Sequence, residues 1–240
     1  MTDLEQLQQW IDRAQNIVFF GGAGVSTESG MPDFRSQDGL YRQQWKYPPE
    51  TVFSRSFFRQ HPEEFFEYYR TKMMPPDLQP NAAHRKLAEL EQAGKLLAVI
   101  TQNIDGLHQA AGSRKVLELH GSVDRNYCTS CGAFYGADRI RKSAGIPRCT
   151  CGGIIKPAVV LYEEELDSDT LEEALEAIQT ADLLLVGGTS LNVYPAAGLI
   201  RYFQGEKLVL LNREPTAYDR RADLILRDPI GQVLGQIQVR

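Results

Sequence analysis

Apolar positions along this chain change period repeatedly, and each change marks an element. Leu4, Leu7, Trp10, Ile11 and Ala14 recur at spacings of three and four, which predicts an amphipathic helix over residues 3–15. Residues 17–20 form a continuous apolar run of strand length that leads directly into Gly21-Gly22-Ala23-Gly24. A second helical stretch spans 54–72, and Pro75-Pro76 ends it, because proline lacks an amide hydrogen and clashes with the preceding turn. Asn81 can cap a helix running to Ala93, with Gly94 as its stop. Further along, the pattern predicts strands over 96–101, 115–120, 158–162, 182–187, 208–212 and 224–226. Between them it predicts helices over 104–111, 168–179 and 195–203, with Thr170 and Glu173 spaced as a capping box.

The strands are apolar throughout instead of alternating, and they alternate with helices. Strands of that kind are buried on both faces, so the expected fold class is α/β, a parallel sheet covered by helices on each side. Residues 122–156 interrupt this texture with short, glycine-punctuated pieces. No internal repeat or low-complexity tract occurs.

Composition narrows the function classes. The chain has 240 residues, 42% hydrophobic and 24% charged, with 26 Lys plus Arg against 31 Asp plus Glu. That is ordinary globular composition and excludes a disordered chain. No apolar run approaches the roughly 18 residues of a membrane-spanning helix. A net charge of −5 disfavours nucleic acid as a partner. The length leaves room for one large domain plus a small module. The N-terminus is polar, with no signal-peptide apolar core, so a reducing cytoplasm is the expected location.

All four cysteines fall in the interrupting stretch, as Cys128-x-x-Cys131 and Cys149-x-Cys151. Residues 132–148 separate the two pairs, a spacing within the zinc-ribbon range. Four thiolates suit a tetrahedral, redox-inert zinc ion, and a site closed by four ligands is structural instead of catalytic. The single residue between Cys149 and Cys151 departs from the usual two. Free cysteines and a redox dithiol are the alternatives, but neither pair has the strand-to-helix setting of a redox motif.

The glycine turn after the first strand has the strand–turn–helix layout that aims backbone N–H groups at phosphates. Gly22-Ala23-Gly24 would allow close backbone approach, yet Thr27 stands where the dinucleotide fingerprint has its third glycine. Gln43 and Gln44 stand where its acidic residue would be. Hydride-transfer chemistry is therefore poorly supported, and a purely structural glycine turn stays open.

Longer blocks carry more information. Gly22-Ala23-Gly24-Val25-Ser26-Thr27-Glu28-Ser29-Gly30-Met31-Pro32-Asp33-Phe34-Arg35 resembles the opening motif of the sirtuins, the NAD-dependent protein deacylases. Thr101-Gln102-Asn103-Ile104-Asp105-Gly106-Leu107-His108 follows, then His120-Gly121 and the cysteines. Lys156-Pro157-Ala158-Val159-Val160, Gly188-Thr189-Ser190-Leu191-Asn192-Val193-Tyr194-Pro195 and Asn212 complete the family order over residues 22–212.

The resemblance implies an inverted Rossmann-like parallel-sheet domain with a smaller inserted zinc-ribbon and helical domain. Residues 1–35, 76–121 and 157–240 would form the NAD-binding domain. Residues 36–75 would form the cofactor-binding loop and the helical part of the small domain, and 122–156 its zinc-ribbon part. It implies an enzyme that consumes NAD and transfers acetyl from acetyl-lysine to ADP-ribose, releasing nicotinamide and O-acetyl-ADP-ribose. His120 matches the family's base, a task that suits an imidazole titrating near operating pH. Asn103 and Asp105 match the residues that hold the nicotinamide carboxamide and ribose, and they could also cap the helix that follows. Gly22, Ala23, Gly24 and Thr27 match the phosphate-facing loop, Phe34 the aromatic over the reacting sugar, and Arg35 a charged donor beside it. Gln102 and Ile104 sit on the ribose side. Gly188, Thr189, Ser190, Asn212 and Asp228 fall on the phosphate and adenosine side. Val160, Tyr162 and Val193 are the implied channel around the lysine stem. Cys128, Cys131, Cys149 and Cys151 would hold one zinc. His61, His84 and His108 have no such support as bases; His61 and His84 read as structural, and Phe57, Phe58, Phe65 and Phe66 as core of the small domain. Residues 36–49 match a mobile cofactor-binding loop.

Two departures matter. Glu163 replaces a glycine in the segment that pairs with the substrate peptide, which keeps a mono-ADP-ribosyltransferase reading open. The stretch Phe65-Phe66-Glu67-Tyr68-Tyr69-Arg70 contains no Tyr-x-x-Arg pair for an acidic acyl group, which favours acetyl. A non-enzymatic NAD-sensing zinc protein is the other alternative, although such a sensor has no need of His120, Asn103 and Asp105 together. Acetyl-lysine peptides are the expected partners, with no membrane and no nucleic acid.

Overall fold

The computed structural model describes residues 1–34, 39–74 and 78–240. Its strands are β1 (Ile17–Gly21), β2 (Leu96–Thr101), β3 (Val116–Glu118), β4 (Gly121–Cys128), β5 (Phe134–Tyr135), β6 (Ile155–Val159), β7 (Leu183–Gly187), β8 (Lys207–Leu211) and β9 (Leu224–Leu226). Its α-helices are α1 (Asp3–Arg13), α2 (Pro49–Val52), α3 (Arg55–Gln60), α4 (Pro62–Tyr68), α5 (Ala82–Gln92), α6 (Leu107–Ala110), α7 (Ala137–Arg141), α8 (Ser168–Thr180) and α9 (Ile230–Gly235). Six strands form a parallel sheet in the order β3-β2-β1-β7-β8-β9. The other three form an antiparallel sheet, β5-β4-β6. The class is thus α/β, with a Rossmann-like order in the large sheet.

The unbroken apolar runs have a simple cause. Successive strand side chains point to opposite faces. Phe19, Val99, Leu185 and Val209 pack with Leu7 and Ile11 of α1, Leu87 and Leu90 of α5, and Leu234 of α9. Val18, Phe20, Ile100, Leu184, Val186 and Leu210 pack on the other side with Ala174 and Ile178 of α8 and with residues 196–200. Both faces are covered, so neither alternate set can be polar. Burying each such side chain is worth roughly 1.5–3 kcal/mol.

A third core lies elsewhere. Phe57, Phe58, Phe65, Phe66, Tyr68 and Tyr69 pack with Val123, Cys128, Ile140, Cys149 and Ile155. Edge-to-face ring pairs, Phe58–Phe65 at 5.0 Å and Phe65–Phe66 at 5.3 Å, set its geometry. Residues before α5 and residues after β3 therefore share one interior. Among the described residues no helix is long and apolar enough to cross a membrane.

Several elements differ from their sequence expectation. The single helix over 54–72 is two helices and a wider π turn at Tyr69–Met73, because His61, ahead of Pro62, leaves helical geometry at φ −132° and ψ 55°. The helix over 104–111 begins only at Leu107, whose amide is capped by the Asp105 carboxylate at 3.0 Å. The expected capping box at Thr170 and Glu173 is not the cap of α8; Asp167 is, accepting the Thr170 amide at 2.9 Å. The strand expected over 158–162 is β6, shifted earlier and paired with β4 in the antiparallel sheet. The segment over 195–203 is a 3-10 helix, Ala196–Tyr202. The Pro75-Pro76 stop lies outside the described residues.

Candidate active site

All strands of the large sheet point the same way and end in register. Thr101 is level with Gly21 and Glu118, Gly21 with Gly187, and Gly187 with Leu211. The residues that follow are Gln102, Gly22, Gly188 and Asn212, four of the positions singled out above. The strand order reverses between β1 and β7, the switch point where open α/β sheets accept ligands at their carboxyl ends.

Two turns cross at this point. Gly22 donates its amide to the Gly187 carbonyl at 3.3 Å, and Gly24 to that of Gly188 at 2.8 Å. A Cβ on Gly24 would stand 2.8 Å from the Gly188 Cα. A Cβ on Gly188, whose φ is +60°, would stand 2.3 Å from the Val25 amide nitrogen. These glycines are required by the crossing of the protein's own turns. Ala23 and Gly24 are half-buried there, and Thr27, exposed, donates its hydroxyl to the Gly24 carbonyl at 3.0 Å.

Three polar side chains converge below the turn. Buried Ser26 donates its hydroxyl to Asp105 Oδ2 at 2.7 Å and accepts from Asn103 Nδ2 at 3.0 Å. The Thr101 hydroxyl accepts the Asn103 amide at 3.0 Å. Burial raises the Asp105 carboxyl above its ordinary range, opposed by hydrogen bonds from Ser26 and the Leu107 amide. A second chain runs across the strand ends. Gln102 Nε2 donates to Thr189 Oγ1 at 3.0 Å, and the Thr189 amide to Asn212 Oδ1 at 3.0 Å. Ser190 is half-buried beside them.

His120 sits half-buried just after β3, with Nδ1 at 3.0 Å from the Gln102 carbonyl oxygen. A carbonyl only accepts, so the neutral ring carries its proton on Nδ1 and keeps a lone pair on Nε2. Burial lowers the imidazole below its usual 6.5, with the Gln102 carbonyl pulling the other way. The neutral, proton-accepting form is therefore favoured. Gly121 must follow it as glycine: φ is +77°, and a Cβ would collide with the Ala158 carbonyl. The His120 carbonyl accepts the Val160 amide at 2.9 Å, which brings the segment after β6 against the histidine.

The remaining positions fall around this centre. Half-buried Ile104 packs on the third core, and Phe34 lies against Tyr41 with ring centroids 5.9 Å apart. The Tyr41 and Tyr162 hydroxyls are 3.4 Å apart. Val193 is half-buried and Asp228 exposed beyond β9. Arg35 and part of the 36–49 loop lie outside the described residues. Tyr68 and Tyr69 are buried, while Arg70 donates to Ser143 and Gly145.

The four cysteine sulfurs lie within 4.8 Å of one another, with Cys128–Cys151 at 3.4 Å and Cys131–Cys149 at 3.6 Å. A disulfide would need about 2.05 Å. A tetrahedron with zinc–sulfur bonds of ~2.3 Å places its sulfurs roughly 3.8 Å apart, so the set fits one zinc ion. The Cys151 amide and the Tyr135 hydroxyl, at 3.0 Å, hold the Cys149 thiol down to about 5.

The family model described as Sir2 family matches residues 22–195. An NAD-dependent protein deacetylase of Cutibacterium acnes is 57% identical over 236 residues, covering 98% of this chain and 97% of the relative. One from Clostridium acetobutylicum is 57% identical over 238 residues, with the same coverage. The chain belongs to the Sir2 family. Among solved structures, a Sir2 complex with a p53 peptide and NAD+ aligns with TM-score 0.85 and 40% identity over 98% of this chain and 96% of that one. Sir2Tm bound to a propionylated peptide aligns with TM-score 0.85 and 40% identity, over 97% and 96%.

In this Sir2 chain the residue that sequence reading passed over is Ser26. It lay inside the quoted glycine motif, but a serine after a glycine turn reads as turn chemistry. Its signal is spatial: one buried hydroxyl joins Asn103 and Asp105, which arrive from the end of another strand.

Proposed function

We propose that the protein is an NAD-dependent protein lysine deacetylase that consumes NAD as co-substrate and moves acetyl from acetyl-lysine to ADP-ribose, releasing nicotinamide and O-acetyl-ADP-ribose. One observation carries the reading. At the switch point of the sheet, an imidazole with a lone pair on Nε2 shares one rim with a Ser26–Asn103–Asp105 network. The relatives' deacetylase names and the peptide and NAD+ complexes of Sir2 neighbours support it.

In this reading His120 takes a ribose hydroxyl proton at Nε2, a role that typically contributes 10²–10⁴-fold to rate. Asn103 and Asp105 receive the nicotinamide carboxamide and ribose, with Ser26 fixing their rotamers. Ile104, Gln102 and Phe34 line the reacting sugar, with Arg35 as a donor beside it. Gly22, Ala23, Gly24, Thr27, Gly188, Thr189, Ser190, Asn212 and Asp228 line the rest of NAD. Val160, Tyr162 and Val193 enclose the acyl-lysine stem. Cys128, Cys131, Cys149 and Cys151 hold a structural zinc. The NAD-binding domain takes residues 1–35, 76–121 and 157–240, and the small domain takes 36–75 and 122–156. Four thiols kept for metal suit a reducing, cytoplasmic setting.

The test mixes protein, NAD and an acetyl-lysine peptide and measures nicotinamide and O-acetyl-ADP-ribose by mass spectrometry. His120→Ala should lose about 10²-fold or more in kcat. The wild-type acid limb should lie below 6.5, because activity is lost only as pH falls through the lowered pKa of His120. Absence of both products, or their undiminished formation by His120→Ala, overturns the mechanism. ADP-ribose on a protein acceptor would instead establish the transferase alternative.

A further inference from the structure

The segment that leaves β6 is fastened at successive points. Val160 is tied to the His120 carbonyl. Tyr162 donates its amide to the Phe53 carbonyl at 2.8 Å and accepts the Arg55 amide at 3.0 Å, bridging Ser54 in parallel. Both backbone groups of Tyr162 are thereby used on the α3 side. Leu161 closes on Glu164, its amide on Oε2 at 3.0 Å and its carbonyl on the Glu164 amide at 3.0 Å, so among the described residues the Glu163 amide and carbonyl are the backbone groups this segment leaves for a peptide.

Glu163 then adopts φ 73°, a left-handed conformation that residues with a Cβ avoid. Its side chain supplies what holds it there. Oε2 accepts the Ser56 amide at 2.9 Å and Oε1 accepts the Ser56 hydroxyl at 2.8 Å. Both carboxylate oxygens are thus committed to the start of α3. The adjacent Glu164 does something different: its Oε2 accepts the Leu161 amide at 3.0 Å and Lys156 Nζ at 3.1 Å, closing its own turn. The Glu163 side chain is instead turned to the start of α3.

We propose that Glu163 is a positioning residue for the peptide substrate: its carboxylate, clasped by Ser56, fixes Tyr162 and Glu163 in the backbone conformation onto which an acetyl-lysine peptide adds as a strand. This rests on the deacetylase reading. It explains how the chain keeps a left-handed turn here without glycine, trading backbone freedom for a fixed pairing edge.

The test is steady-state kinetics with NAD and an acetyl-lysine peptide, each varied in turn, for wild type, Glu163→Gln, Glu163→Gly and Ser56→Ala. Glu163→Gln and Glu163→Gly should raise the peptide KM by about three- to tenfold, leaving kcat and the NAD KM within about twofold. Ser56→Ala keeps its amide and should show a smaller rise in the same constant. Combining it with Glu163→Gln should add nothing, because the two changes break one contact. A wild-type peptide KM in Glu163→Gly, which relieves the backbone while deleting the carboxylate, overturns the role. So does a loss confined to kcat. Wild-type protein with no NAD-dependent deacetylation overturns the functional reading itself; active wild type with unchanged variants overturns only Glu163.

Discussion

The parallel sheet buries mainly aliphatic side chains on both faces, whereas the region beside it closes around aromatic rings and four cysteines. The first needs nothing beyond its own side chains. Its central strands are continuous apolar runs with a helix on each side. The second rests on a three-stranded sheet whose β5 has two residues, and strands that short do not hold a fold by pairing. The difference teaches where each region is vulnerable. The active-site rim lies where they meet: His120 follows a strand of the large sheet, Gly121 opens the small one, and Val160 returns from it.

Metal removal should separate the regions most strongly. Structural zinc in isolated fingers contributes on the order of 10 kcal/mol. Cys128→Ala, or a strong chelator, should release zinc and abolish amide protection in β4, β5 and β6, while β1, β2, β7 and β8 stay protected. Hydrogen exchange read by mass spectrometry checks this. Uniform loss of protection in both regions would show one cooperative unit and break the contrast.

How much of this was legible in the sequence follows from the same contrast. Residues 17–20, 96–100 and 183–186 were readable because burial on both faces leaves only apolar residues. The cysteine set was readable because ligand spacing is local. The aromatic helices were readable as core but not as α3 and α4, since the break at His61-Pro62 looks like one more step in a helical period. The cap of α8 was misplaced because Asp167 and Thr170 are both plausible caps, and only the Asp167–Thr170 hydrogen bond separates them. Ser26 was hidden because its partners Asn103 and Asp105 are distant in sequence.

Acid should strike the sheet region through two buried histidines. His84 and His108 meet edge to face at 4.7 Å, and His108 lies beside Phe19. Burial pushes His84 down to about 4 and His108 to about 3, each from 6.5, with neighbouring Arg85 and His84 adding to the respective shifts. Both stay neutral in the fold while the unfolded chain takes up protons near 6.5. Stability is therefore full above pH 6.5 and falls as pH drops toward 4, by a few kcal/mol in total. Urea midpoints across that window measure it. His84→Gln can still accept the Asn81 amide that His84 Nδ1 holds at 3.2 Å, and it should flatten the slope by about half. An unchanged slope would place the acid sensitivity elsewhere.

The smallest effect tests whether the cysteine region depends on more than its four ligands. Tyr135 donates its hydroxyl to Cys149 at 3.0 Å, and its ring packs on the aromatic core. Tyr135→Phe keeps the ring and removes only the donor. A group that orients a metal ligand commonly changes metal affinity by 10–100-fold when lost, and a single hydrogen bond to one of four thiolates belongs at the low end, about tenfold. Zinc should pass to a competing chelator faster from the variant, with global stability lowered by about 1 kcal/mol or less. Equal transfer rates would show that the thiolates alone set the site. A fall in stability as large as that of Cys128→Ala would mean that the hydroxyl, not the metal, is what the aromatic core is built around.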